Sequence, residues 1–106
     1  MNWTKVAKEI LKNYPEYSSE WIQCIKWEYD IPRYTFSVEN PDTGKHEERI
    51  IDDMEKVGES AKRVADLHKN NKLHFFGYQY DDLGSYDAEI VDAIIQYYFY
   101  EDLIYG

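Results

Sequence analysis

Hydrophobic residues change their spacing twice along this chain, and that change most narrowly limits what it can fold into. Trp3, Val6, Ala7, Ile10, Leu11 and Tyr14 recur at i, i+3, i+4, i+7, i+8 and i+11, the apolar stripe of an amphipathic helix. Asn2 is placed to cap that helix and Pro15 to end it. From Trp21 the period falls to two. Ile25, Trp27, Tyr29 and Ile31 alternate with Cys24, Lys26, Glu28 and Asp30, so residues 22–31 are predicted as a half-buried strand with the two sets on opposite faces. A helix capped at Ser18 or Ser19 is the rival, but it would scatter the four apolar residues around its cylinder.

Pro32 breaks the strand, and Tyr34, Phe36 and Val38 alternate with Thr35, Ser37 and Glu39 to make a second. Pro41-Asp42-Thr43-Gly44 is a turn, because proline fixes φ and glycine accepts a positive one. The return strand runs over Lys45–Ile51, and its charges at Lys45, Glu47, Glu48 and Arg49 suit an exposed edge. Asp52 or Asp53 caps a second helix with the stripe Met54, Val57, Ala61, Val64, Ala65 and His68, stopped by Asn70-Asn71. Gly58 inside it costs up to about 1 kcal/mol relative to alanine, which marks a close approach to the sheet. Leu73–Tyr80, apolar or aromatic on both faces, is predicted as a central strand. A loop from Asp81 then leads, with Ser85 or Asp87 as cap, into a last helix through about Tyr100.

The predicted order is therefore α-β-β-β-α-β-α: a single α+β domain over residues 1–106, with a small, mostly antiparallel sheet packed by helices. A chain of 106 residues can bury a core without staples, and the lone Cys24 forms no internal disulfide. The first residues lead into no apolar run of signal or membrane-spanning type, so a cytoplasmic protein is expected.

Charge is distributed unevenly. After Lys72 there is no Lys or Arg, while Asp81, Asp82, Asp87, Glu89, Asp92, Glu101 and Asp102 all follow it, with seven of the eleven tyrosines. Most of the formal net charge of −9 lies in this last third. Such a balance argues against binding nucleic acid or anionic lipid, which need clustered cations, and favours a basic partner. On a wheel of the last helix, Ile90, Val91, Ile94, Ile95 and Tyr98 form the core side. Glu89, Asp92, Ala93, Gln96 and Tyr100 form the opposite side, with Tyr97 at its edge. That outer side has no cation, although helix exteriors ordinarily carry both signs.

These residues lead to the expectation of a non-enzymatic inhibitor that docks a basic protein partner, a nuclease or a nucleic-acid-binding effector. Asp81, Asp82, Tyr86 and Asp87 from the loop and Glu89, Asp92, Tyr97 and Tyr100 from the helix are its expected contacts. Carboxylates there stand in for phosphates and grip arginines, while tyrosines offer rigid contact area. In size and charge the chain resembles nuclease-immunity proteins and phage-coded inhibitors of host defence nucleases, small acidic mimics of nucleic acid. The alternative from another class is a small-molecule or nucleotide-binding domain with a tyrosine-lined pocket. A homodimer seam of Tyr97, Tyr100, Ile104 and Tyr105 is a third expectation.

Catalytic signatures are missing from the sequence. His46, His68 and His74 have no ligand spacing, and one cysteine makes no zinc set, so no metal and no cofactor is expected. The Asp81–Glu89 segment lacks the alternation of a calcium loop, and no glycine-rich phosphate loop is present. Asp81 and Glu89 as a general acid–base pair carry no specificity in a chain with 21 acids.

Overall fold

A computed structural model describes residues 1–13 and 19–105. Helix α1 (Trp3–Asn13) begins where Asn2 Oδ1 accepts from the Lys5 amide at 3.1 Å, and it buries Val6, Ala7, Ile10 and Leu11. The parts of this helix reading that fall on Tyr14 and Pro15, and the rival cap at Ser18, lie outside the described residues.

Strands β1 (Ile22–Glu28), β2 (Arg33–Glu39) and β3 (His46–Ile51) form an antiparallel sheet in the order β1-β2-β3. The central strand turns Tyr34, Phe36 and Val38 inward, all at most 2% exposed, and its neighbours Ile22 and Ile51 pair with Val38 and Tyr34 on the same face. The 41–44 turn forms as its residues require: Gly44 takes φ +73°, and its amide and that of Thr43 both donate to the Asn40 carbonyl. Residues 46–50 of β3 are exposed, in keeping with a charged edge.

Strand β1 departs from simple alternation. A bulge between Cys24 and Lys26 inserts Ile25 as an unpaired residue, so Cys24 pairs with Phe36 while Lys26 pairs with Thr35. The bulge shifts the phase in mid-strand, so that Ile22 and Cys24 before it and Trp27 after it pair with the inward Val38, Phe36 and Tyr34. Ile22 and Cys24 pack on the core, whereas Ile25, Trp27, Tyr29 and Ile31 are 46–64% exposed. The strand also ends at Glu28, short of the predicted residue 31.

Helix α2 (Met54–Lys69) is capped by Asp53, which accepts from the Glu55 and Lys56 amides at 3.1 and 3.2 Å. Asn71 takes the left-handed φ of +58° just beyond it. Gly58 does mark a close approach, but to α1 and not to the sheet: a Cβ there would meet the Trp3 backbone at 2.8 Å. Helix α3 (Ala88–Tyr100) starts at Asp87, whose side chain accepts from the Ile90 amide at 3.1 Å. One 3₁₀ turn, Leu83–Ser85, precedes it.

The predicted strand over Leu73–Tyr80 is not formed, and the observed order is α-β-β-β-α, the 3₁₀ turn, then α. Gly77 adopts φ +72° and bends this segment, so that Phe75 and Tyr78 enter the core together while Phe76 is 95% exposed. Both buried rings pack on His68 of α2, with centroids 6.0 and 5.0 Å from its own. An apolar run on both faces suggested a central strand; the tertiary partner is a helix, and a turn presents two rings to it better than an extended chain. The α+β class stands, with three α-helices and a three-stranded antiparallel sheet among the described residues. Among the described residues no helix is long and apolar enough to cross a membrane.

Candidate functional site: an acidic ridge ahead of helix α3

The loop from Gln79 to Asp87 is built on side-chain bonds to its own backbone. Asp82 accepts from the Gly84 amide at 3.0 Å and so starts the 3₁₀ turn. Ser85 Oγ accepts from the Gln79 amide at 3.0 Å and directs its single proton between the Asp82 and Gln79 carbonyls, 2.7 and 2.8 Å away. Tyr86 lies underneath. Its hydroxyl donates to the Tyr80 carbonyl at 2.8 Å and accepts from Tyr78 at 3.2 Å, and burial pushes its pKa far up. Asp81, Asp82, Asp87 and Glu89, on and just after this loop, are all exposed.

Those four carboxylates have no ion-pair partner among the described residues. Two ion pairs occur among the described residues, Lys12–Glu9 and Lys26–Glu28, and neither involves the ridge. Lys69 lines the hollow beside Asp81 without coming within ion-pairing distance. Asp82 and Asp87 each use one oxygen on a backbone amide. Glu89, in the first turn of α3, sits where the helix dipole favours an anion.

The other four expected contacts are differently placed. Tyr86 and Tyr97 are only 9% exposed. Asp92 is half-buried, accepting from Trp21 Nε1 at 2.9 Å and from Gln96 Nε2 at 2.8 Å. Tyr100 donates its hydroxyl to the Glu39 carbonyl and packs on Trp21 with centroids 5.7 Å apart.

The supposed outer side of α3 is thus largely covered, because the chain turns back at Glu101. That residue takes the left-handed φ of +57°, and the 102–105 segment returns along the helix. Gln96, fully buried, holds it: its Oε1 accepts from the Ile104 and Tyr105 amides and its Nε2 donates to the Tyr105 carbonyl, all at 2.8–2.9 Å. Tyr105 stacks on Trp21 at 5.6 Å. The wheel could not show this, since period alone does not say what a later segment covers. Of the expected seam residues, Tyr100 and Tyr105 are engaged within one chain and Ile104 alone is exposed.

Two features escaped the sequence reading. One is the exposed apolar run at Ile25, Trp27, Tyr29 and Ile31. The other is a cleft of about 480 Å³ between β3, α2 and the end of α3, where Tyr97 and Tyr98 meet Arg49, Lys56, Glu59 and Arg63. Arg63 lies 5.0 Å over the Tyr97 ring and Arg49 lies 5.3 Å over Phe99. Tyr98 beside them is held un-ionised first by burial and then by the negative field of Asp52 and Asp53.

Elsewhere the chemistry is muted. Burial raises the Cys24 thiol pKa, which disfavours the nucleophilic thiolate. His68 Nδ1 is buried without a hydrogen-bond partner against His74, Phe75 and Tyr78. No cluster of three or more metal-ligating side chains occurs among the described residues. No protein-family model, curated protein or solved structure matches this chain.

Proposed function

We propose that the protein is a non-catalytic inhibitor that docks a basic protein partner, a nuclease or nucleic-acid-binding effector, through the ridge Asp81, Asp82, Asp87 and Glu89. The observation that carries this is the set of four exposed carboxylates, without an ion pair among the described residues, on the first turn of α3 and on a loop whose backbone is bonded to its own side chains. Carboxylates carried on a loop braced by its own bonds meet the cations of a phosphate-binding groove with less backbone entropy lost on docking. The tyrosines take a different part from the one expected of them: Tyr86 supports the ridge from below, and the contact is mainly ionic. We place the encounter in the cytoplasm, where nucleases of phage defence act.

The test neutralises charge and preserves shape. Asp81→Asn, Asp82→Asn, Asp87→Asn and Glu89→Gln are combined, since asparagine still caps a helix. Wild type and variant are immobilised and exposed to host lysate at low and high salt. The reading requires a basic protein retained at low salt by wild type, released at high salt and not held by the variant. Equal retention by both, or no basic protein at all, rejects it.

A second reading rests on the cleft, where Tyr97 and Tyr98 lie beside both signs of charge. A small polar or nucleotide-like molecule there is tested by thermal shift against a nucleotide panel, with Arg63→Ala as control. A shift kept by the ridge variant and lost in Arg63→Ala selects this reading.

A further inference from the structure

Strand β1 ends the sheet with a surface unlike that of the other edge. Residues 46–49 of β3 carry His, Glu, Glu and Arg, the ordinary protection against pairing with another chain. Along and just after β1, Ile25, Trp27, Tyr29 and Ile31 stand 54, 46, 46 and 64% exposed within seven residues. Trp27 and Tyr29 are in ring contact at 6.4 Å, and Tyr29 meets the buried Tyr34 edge-on at 6.1 Å, so the rings form one continuous surface anchored on the core. A patch of this kind on a small acidic protein calls for a cover.

We propose that the cover is a second copy of this chain, its β1 antiparallel to the first about a two-fold axis through Trp27. The charges flanking that residue decide the occupant. Lys26 and Glu28 lie either side of Trp27, 3.5 Å apart at their charged ends. A two-fold axis there sets Lys26 of each copy opposite Glu28 of the other, so both cross-pairs are attractive and no like charges face each other. The same axis brings Trp27 onto Trp27. A partner of uniformly basic or acidic surface would be repelled by one of the two flanking charges. Among the described residues, the Gln23–Glu28 backbone bonds to no strand but β2. The bulge at Ile25 shortens the ladder available there, so side-chain burial supplies most of the affinity and a reversible dimer results.

This association is independent of the inhibitor reading, and salt separates them. Each copy carries −9, so added salt screens the repulsion between copies and strengthens the dimer, whereas it weakens docking to a basic protein. Sedimentation velocity is run from low micromolar to several hundred micromolar at two salt concentrations. The mass must rise from one chain towards two, at lower concentration in the higher salt. Trp27→Ser must remove the rise. Lys26→Glu and Glu28→Lys must each weaken association at least tenfold, and the double exchange Lys26→Glu with Glu28→Lys must restore it, all with unchanged circular dichroism. A single-chain mass throughout, or a double exchange that fails to restore association, overturns the proposal.

Discussion

Trp21 Nε1 donates to Asp92 Oδ1 at 2.9 Å across 71 residues of sequence, tying the entry to β1 to the middle of α3. Gln96 Nε2 holds the other oxygen at 2.8 Å, so the half-buried carboxylate is fully engaged. Trp21→Phe keeps most of the ring contact with Tyr105 and removes the donor. Because the acceptor is an ion in a partly dry site, the variant is expected to lose about 1–3 kcal/mol, read from urea unfolding.

Asp92 also sets a pH dependence. Burial pushes its carboxyl above the usual range, with the Gln96 and Trp21 bonds pulling partly back. A raised folded-state pKa means that folding favours the protonated form; the associated stability is full below the unfolded pKa and is lost as pH rises through the folded one. Asp92→Asn lacks that titration. Relative to the variant, wild type should therefore lose stability as pH rises from about 4 towards neutrality. Paired urea midpoints across that range check the sign, and a difference that does not vary with pH contradicts it.

Gln96 is the peg for the C-terminal segment. Gln96→Leu strands the Ile104 and Tyr105 amides and the Tyr105 carbonyl. The cost should be about 1–3 kcal/mol per buried group that water cannot reach, or less if the segment peels away. Peeling is the expected outcome, seen as faster amide exchange at Ile104 and Tyr105 than at the α3 core.

Gly58→Ala sets helix propensity against packing. Alanine favours the helix by up to about 1 kcal/mol, but its methyl would meet the Trp3 carbonyl group at 2.8 Å, where backbone has to move. Overpacking of this kind costs about 1–3 kcal/mol, so the variant should melt below wild type. A higher melting temperature would show that the α1–α2 contact yields freely.

Several phenols should titrate late. Burial raises the pKa of Tyr34, Tyr78 and Tyr86, so folding favours their protonated forms and stability falls as pH rises through the folded values. Phenolate absorbance should therefore rise in two stages, the second coinciding with loss of the far-ultraviolet signal. Tyr86→Phe, which frees the Tyr80 carbonyl and the Tyr78 hydroxyl, should cost about 1–3 kcal/mol and loosen the ridge.

Local signals were legible where one residue suffices to set the backbone. Asn2, Asp53 and Asp87 cap the helices that follow them, and Gly44 closes the hairpin, because each supplies its own acceptor or its own positive φ. The ridge was legible in part: Asp81, Asp82, Asp87 and Glu89 face solvent, whereas Tyr86 and Tyr97 do not. Periodicity misled at two places. A single extra residue at Ile25 shifted the phase of β1 in mid-strand, and Gly77 turned an apolar run into a bend.

By itself the sequence determined the helix caps, the hairpin, the α+β class and the excess of carboxylate after Lys72, since these follow from neighbours in the chain and from charge count. Only the tertiary structure decided which faces meet water. Burial depends on what distant segments bring: the 102–105 return covers Gln96 and Tyr100, Trp21 covers Asp92, and Trp27 stays 46% exposed although it pairs with buried Tyr34. Such contacts join residues far apart in the chain, and no local pattern records them.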